Sequence, residues 1–254
     1  LFRSRAKVAP HQGDLAAILV EPMMGSGGCI PADPAFLQGL RALADECGAL
    51  LILDEVMTSR LSFGGRQALL GIRPDLTTLG KYFGGGLSFG AFGGRADVMQ
   101  RYDPRSDGAL QHAGTFNNNV LTMAAGLAGL TQVLTAEALD ALNARGERLR
   151  GRLNQLFADQ GVALQLTGLG SLMQLHALTG AVRSADDTAR SDDRAKALIF
   201  FDLLARGVFM ARRGFMALSL PFDDAAADTL VDAMQEVVQQ RRALLGTPLA
   251  TATA

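Results

Sequence analysis

The sequence predicts an α/β fold in two parts. A mostly parallel sheet with flanking helices comes first, and a smaller α/β part with an antiparallel sheet follows. Three observations predict this. The segments Leu15–Val20, Pro34–Cys47 and Ala49–Leu53 read as strand, helix and strand, and the second strand is apolar without a break. A strand buried on both faces of a parallel sheet requires such a run. Beyond residue 136 shorter strands alternate with helices and the long buried runs disappear, the pattern of a layer of helices on an antiparallel sheet. The 254 residues, 48% hydrophobic and 19% charged, suffice for one large core or two smaller ones.

Taken in order, Leu15–Val20 is closed by Glu21-Pro22 and a glycine-rich turn. In the first helix Phe36, Leu37, Leu40, Leu43 and Ala44 recur at helical spacing, and Gly48 fits a C-terminal cap. Ala49–Leu53 runs into the acidic pair Asp54-Glu55. Short strands are expected at Leu76–Leu79 and Ala91–Gly93, and Thr115 opens an Ala- and Leu-rich segment that turns helical from Asn119. A long helix is expected over Glu137–Ala158, with Leu139, Leu142, Leu149, Leu153 and Leu156 as its apolar stripe. Strands follow at Val162–Leu166, Ser171–Ala177, Val208–Met210 and Met216–Leu220, and helices at Asp192–Arg206 and Asp223–Leu245. The Ala/Thr-rich tail after Gly246 is expected to fray.

Several function classes find no support. A net charge of −1 leaves no electrostatic footprint for nucleic acid or an anionic membrane. Cys29 and Cys47 make neither a disulfide framework nor a metal site, and Cys47 fits as a small core residue in a helix. A reducing, cytoplasmic setting is expected, since no apolar run is long enough to span a bilayer and no targeting pattern is visible. The opening residues from Leu1 read as the middle of something longer. His11, His112 and His176 lack metal-ligand spacing, and His176 alternates with apolar residues as a satisfied strand histidine would. No G-x-G-x-x-G turn occurs.

The chemistry-bearing stretch is Ala49–Gly86. Lys81 is one of three lysines, with Lys7 and Lys196, and sits in an apolar, glycine-rich segment between Asp75 and Arg95. A lysine in apolar surroundings loses ammonium hydration, and its neutral amine can attack a carbonyl carbon. A carboxylate at the end of a buried strand can hold a pyridine nitrogen protonated. Alternate residues of a strand share a face, so Asp54 and Val56 are expected together with Glu55 opposite. These residues therefore fit a lysine Schiff base with a pyridine cofactor. They also fit a surface lysine in a loop. An apolar strand ending in Asp-Glu occurs in nucleotide hydrolases too, but those need a G-x-x-x-x-G-K-[ST] loop, and here Gly80-Lys81 is followed by Tyr82.

Taken together, Val20-Glu21-Pro22, Leu53 to Thr58, Asp75 to Lys81, Gly84-Gly85-Gly86, Gly90 to Arg95 and Gly114-Thr115-Phe116 resemble the class III aminotransferases, of the fold type I group that uses pyridoxal 5'-phosphate. The resemblance covers nearly the whole chain. It implies that residues 1–136 are the C-terminal portion of the cofactor-binding large domain and residues 137–254 the small domain. Lys81 then corresponds to the Schiff-base lysine, Asp54 to the partner of the ring nitrogen, and Val56 to the residue packed on the ring. Thr115 corresponds to the threonine that reaches the cofactor phosphate of the neighbouring subunit, which implies a homodimer; as a residue it also fits a helix N-cap.

Within the class, Asp75 to Lys81 resembles glutamate-1-semialdehyde aminomutase. Thr58 to Ser62, Gly114 to Asn119, Arg213-Gly214-Phe215 and Leu218 to Pro221 resemble the β-amino-acid transaminases, where Arg213 would hold a substrate carboxylate. The implied reaction moves an amino group from an amino donor, by resemblance a β-amino acid, to a keto-acid acceptor. The aminomutase is the alternative, and a catalytically incompetent fragment or partner subunit is another. Two departures stand out: Met24 occupies a position where relatives often carry Gln, and the N-terminal part that supplies further phosphate and ring contacts is absent from the sequence.

Overall fold

A computed structural model describes residues 2–246; the tail expected to fray lies outside them. Along the chain the elements are α1 (Phe2–Val8), β1 (Ala17–Val20), β2 (Met23–Met24), β3 (Ile30–Pro31), α2 (Pro34–Cys47), β4 (Leu50–Asp54), α3 (Gly65–Leu70), β5 (Leu76–Gly80), β6 (Gly90–Gly94) and α4 (Ala96–Met99). They continue with α5 (Val120–Ala128), α6 (Ala136–Gln160), β7 (Gln165–Leu169), β8 (Leu172–His176), α7 (Ala185–Ala189), α8 (Asp193–Leu204), β9 (Phe215–Ala217) and α9 (Asp224–Leu245). These elements form two compact units. One runs from the N-terminus to Pro22 and resumes over Ala32–Leu139; the other joins Met23–Pro31 to the chain from Asp140 on.

The first unit holds a sheet in the order β1-β4-β5-β6. Its first three strands are parallel and β6 runs antiparallel to β5. The C-terminal ends of β1, β4 and β5 therefore lie at one end of the sheet. Helix α2 starts where Asp33 accepts from the N–H groups of Ala35 (2.7 Å) and Phe36, with Pro34 at its first position, and it stops at Gly48 in the left-handed region (φ 66°). Its buried stripe of Leu37, Leu40, Leu43 and Ala44 packs with Leu51, Leu53 and Ile72. Cys47 packs half-buried against that cluster. Each fully buried leucine contributes about 1.5–3 kcal/mol over an exposed one, so this stripe fixes α2 on the sheet.

The second unit is built on the antiparallel sheet β7-β8-β9, covered by α6, α8 and α9. All five residues of β8 are buried, and Met173 and Leu175 pack among Leu149, Leu153, Ile199, Met234 and Val237. Two strand expectations are corrected. The first strand begins at Gln165 rather than Val162, because Val162 N–H closes the end of α6 on Phe157 O (3.1 Å) and Ala163 N–H goes to Leu245 O (2.8 Å). Val208–Met210 is not a strand, because Val208 N–H is taken by Leu203 O (2.9 Å) at the end of α8. Backbone donors engaged by a helix end are unavailable to a sheet ladder. Among the described residues no single helix is long and apolar enough to cross a membrane.

Candidate active site

Parallel pairing of β4 with β5 places Asp54 opposite Thr78. Asp54 Oδ1 accepts from Thr78 Oγ1 (3.0 Å) and from Val56 N–H (3.0 Å). Among the described residues both of these bonds fall on Oδ1, which leaves Oδ2 its acceptor capacity. The carboxylate is thus oriented by two donors and can still receive one more, which is what a protonated ring nitrogen requires. Val56 reaches this place differently from the expectation. The strand ends at Asp54, and a turn, not an extended backbone, folds Val56 N–H onto the carboxylate. The Val56 methyls face Gly80, where an added Cβ would come within 3.4 Å of Cγ1. Glu55 is fully buried and caps α3, accepting from Thr58 Oγ1 (2.8 Å), Arg66 N–H (2.9 Å) and Gln67 N–H (2.7 Å). The acidic pair therefore divides into one carboxylate with spare capacity and one committed to structure.

Lys81 follows Gly80 at the end of β5 and opens the tight helical turn Lys81–Gly84. Its φ is 55°, left-handed for a side chain that prefers negative φ. Such a conformation persists only where the surroundings over-determine it, and α5 supplies that constraint. A Cβ on Gly126 would overlap the carbonyl oxygen of Phe83, and one on Gly85 would overlap the backbone of Ala125. Tyr82 Oη donates to Ser59 Oγ (3.1 Å), pinning the same turn, and burial raises the Tyr82 pKa. The Lys81 side chain itself is exposed, which corrects the expectation of apolar surroundings: Gly84, Gly85 and Gly86 bring no side chains to cover it.

The close approach of α5 makes a prediction. Gly→Ala inside an exposed helix normally gains about 1 kcal/mol, but at Gly126 the methyl collides with backbone that cannot swing away. Gly126→Ala is expected to lose about 1–3 kcal/mol in denaturant unfolding. A gain in stability would overturn the constraint assigned to α5.

Thr115 lies exposed in the turn closed by Asn117 N–H on Gly114 O (3.0 Å). It is not the helix cap. Asn119 is, accepting from Leu121 N–H (3.1 Å) and Thr122 N–H (3.2 Å). Arg213 belongs to the second unit, is exposed, and has its guanidinium 5.1 Å from the centre of the Phe215 ring. Among the described residues no salt bridge engages Arg213, so its fork of donors is open to a carboxylate. Met24 is exposed in β2. Asp54, Val56 and Lys81 thus meet at one sheet end, while Thr115 stands in the turn before α5 and Arg213 in the other unit. Thr78, Ser59 and Gly126 were missed from sequence. Thr78 had a signal, one of two adjacent hydroxyls between Leu76 and Leu79 at the end of a strand; Gly126 had none. Among the described residues no group of three or more His, Cys, Asp or Glu could hold a metal ion.

The model of the class-III aminotransferases matches residues 4–238. A beta-phenylalanine transaminase of Variovorax paradoxus is 57% identical over 242 residues, 95% of this chain and 56% of that protein. A glutamate-1-semialdehyde 2,1-aminomutase of Desulfatibacillum aliphaticivorans is 37% identical over 228 residues, 89% of this chain and 53% of that protein. The crystal structure of a beta-phenylalanine aminotransferase from Variovorax paradoxus matches with a TM-score of 0.94 at 55% identity, covering 98% of this chain and 57% of that one. The chain spans about half the length of the curated relatives it matches. On the extent of the family match and the arrangement of the strand ends, the chain belongs to the class III aminotransferases.

Proposed function

We propose that this chain is the lysine-bearing part of a pyridoxal 5'-phosphate-dependent transaminase that moves an amino group from a β-amino acid to a keto acid. The observation that carries the reading is the juxtaposition at the ends of adjacent parallel strands: an oriented Asp54 carboxylate with a spare acceptor beside a turn that presents Lys81. The similarity to a beta-phenylalanine transaminase supports a β-amino acid as donor. Pyridoxal phosphate, when bound, supplies an electron sink for the substrate carbanion. Asp54 Oδ2 would accept the ring N–H and keep that nitrogen protonated. The Val56 methyls would exclude water from one ring face. Lys81 Nζ would hold the cofactor through its carbonyl carbon and, as a free amine, would move the proton at the reacting substrate carbon. Thr115 reaches the phosphate held by a second subunit, so the working unit is a homodimer. Residues 1–136 then form the C-terminal portion of the large domain and residues 137–254 the small domain. Cytoplasmic residence fits two cysteines outside any disulfide.

The test is transamination of β-phenylalanine with 2-oxoglutarate by the protein expressed with whatever coding frame precedes Leu1. Amino transfer that requires the keto acid is expected. Isomerisation of glutamate-1-semialdehyde with no external acceptor would instead favour the mutase reading, which the 37% identity to an aminomutase supports.

Arg213 is assigned the substrate carboxylate. A bidentate charge-assisted pair contributes about 1.5–3 kcal/mol. Arg213→Ala is therefore expected to lower kcat/KM for carboxylate donors by about 10–100-fold, mostly through KM, and to leave amine donors lacking a carboxylate unaffected. Equal losses for both donor types would remove the assignment.

A further inference from the structure

The hairpin β2–β3 interrupts the first unit. The chain leaves β1 at Pro22, folds over Met23–Pro31 with the second unit, and returns at Ala32, whose N–H closes on Pro22 O (3.1 Å). The tip of this hairpin has an unusual backbone: Gly28 has φ 128° and Cys29, which is not a glycine, has φ 48°. Its tip is clasped by two diagonal neighbours of the small sheet, Thr167 on β7, paired with Gln174, and His176 on β8, paired with Gln165. Thr167 Oγ1 donates to Gly28 O (2.6 Å), and His176 Nε2 lies 3.1 Å from the same oxygen and 2.8 Å from Thr167 Oγ1. A carbonyl oxygen only accepts, and the Thr167 proton already points at it. Nε2 must therefore carry the hydrogen and fork it between the two oxygens. The ring is fully buried, and among the described residues Nδ1 has no hydrogen-bond partner. The sequence reading of a satisfied strand histidine thus holds for one ring nitrogen and fails for the other.

A neutral ring with an unpartnered Nδ1 suffers a modest cost. A second proton would sit on Nδ1 with no acceptor, in a fully buried place. The charged and titratable groups around the ring do not help. From α8, Lys196 is itself buried, acts on His176 as a like charge, and is paired with Asp193 (2.7 Å). From α7, Thr188 approaches Gly28, and Asp187 is engaged by Arg183 N–H, Ser184 Oγ and Arg190. From the hairpin, the neighbouring titratable group is the Cys29 thiol, fully buried. From β7 the facing group is the neutral Thr167. Among the described residues no hydrogen bond or ion pair sets a carboxylate against the ring to stabilise an imidazolium.

We propose that His176 is a pH-sensitive latch for the Met23–Pro31 hairpin: the neutral ring holds Gly28 closed, and protonation releases the hairpin so that water can reach the ring. Burial foremost, and Lys196 with it, hold the His176 pKa below its ordinary value despite the bond to Gly28. The sign follows from linkage: the open form binds the proton more readily, so closure is complete above the ordinary histidine range and weakens as pH falls through and below about 6.5. The consequence is local. It concerns the Met23–Pro31 segment itself, whose base stays closed by the bond from Ala32 N–H to Pro22 O (3.1 Å). Nothing in this inference depends on the reaction assigned above.

The test is hydrogen exchange by mass spectrometry on the full chain between pH 8 and pH 5, with rates corrected for the intrinsic pH dependence of exchange. Peptides covering Met23–Pro31 are expected to lose about tenfold or more of their protection at the acid end, while α9 peptides stay protected. His176→Gln keeps an N–H for Gly28 O but cannot titrate, so its hairpin protection is expected to be flat with pH. Lys196→Met, which removes the like charge, is expected to shrink the acid loss, and it serves alone should the Gln variant not fold. The carbon-bound proton resonance of His176 is expected to titrate together with hairpin exchange. A hairpin whose protection is independent of pH in the parent would overturn the latch. So would an acid loss of equal size in His176→Gln, or one spread evenly over β7, β8 and β9.

Discussion

Replacing Lys81 by Ala is expected to abolish transamination, lowering kcat by at least about 10²–10⁴-fold, the range supplied by a positioned acid–base group. It is also expected to abolish fixation of the cofactor to the protein by borohydride. The two readouts answer different questions. The rate reports the proton that Nζ moves, while borohydride fixation reports whether this amine holds the cofactor's carbonyl carbon. The other two lysines provide the control. Lys7 lies near the end of α1, remote in sequence from β4 and β5, and Lys7→Ala is expected to leave both readouts unchanged. Mass mapping of the borohydride product should place the added mass on the peptide containing Lys81. Its appearance on a Lys7 or Lys196 peptide would sink the assignment. The left-handed backbone at Lys81 adds a refinement. Lys81→Gly removes the amine and relieves the backbone, so it should fold at least as stably as the Ala variant while remaining equally inactive.

The largest expected loss of stability is at Asp75. This carboxylate stands just before β5 and ties three elements together. Its Oδ2 accepts from Arg41 Nη1 of α2 (2.7 Å) and Leu51 N–H of β4 (2.7 Å), and its Oδ1 accepts from Arg95 Nη1 after β6 (2.8 Å). Burial pushes its pKa up, but the bonds from Arg95, Leu51 N–H and Arg41 outweigh that and hold it at about 2, against 3.8 ordinarily. Asp75→Ala removes all three bonds at once and strands the buried N–H of Leu51. Arg41 and Arg95 keep Asp45 and Asp97 as partners, which limits the damage. A loss of about 3–5 kcal/mol is expected from breaking a buried pair of this kind, read as a lower denaturant midpoint at pH 7. Asp75→Asn retains an acceptor and should cost clearly less.

The pH dependence has a definite sign. A carboxylate whose folded pKa is depressed stabilises above its unfolded pKa, and the contribution disappears as pH falls toward the folded value. For Asp75 the contribution, about 2–3 kcal/mol by linkage, is expected to be present above about pH 4 and lost between pH 4 and 2. The parent's stability should therefore fall more steeply than that of Asp75→Ala over this window. Parallel curves would show that the carboxylate is not held as the geometry implies.

Much of the first unit was legible because its signals are local. Asp33-Pro34, the leucine spacing of α2 and Gly48 mark a helix from cap to cap, and the unbroken run before Asp54 marks a strand, although only Leu51 and Leu53 of it are fully buried while Leu50 and Ile52 on the other face are half-buried. Lys81 and Asp54 could be paired from sequence because each stands at the end of such a strand. The misplaced strands and the misplaced cap share one cause, competition for the same backbone groups. Val162 and Val208 have strand propensity, but helix ends take their N–H groups. Thr115 has the residue type of a helix cap, but Asn119 does the capping.

The sequence by itself determined the family, the α/β alternation, and the residues that carry charge or a nucleophilic amine, because periodicity, capping and residue chemistry act over a few neighbours. Only the tertiary structure decided that Asp54 keeps one oxygen for a ligand while Glu55 is spent on a cap. It alone decided that α5 packs backbone to backbone on the turn that the left-handed Lys81 opens, and that His176 grips a hairpin nearly 150 residues earlier with a single ring nitrogen. Those outcomes depend on which donors and acceptors meet across the fold, and on the burial that makes an unmet one costly.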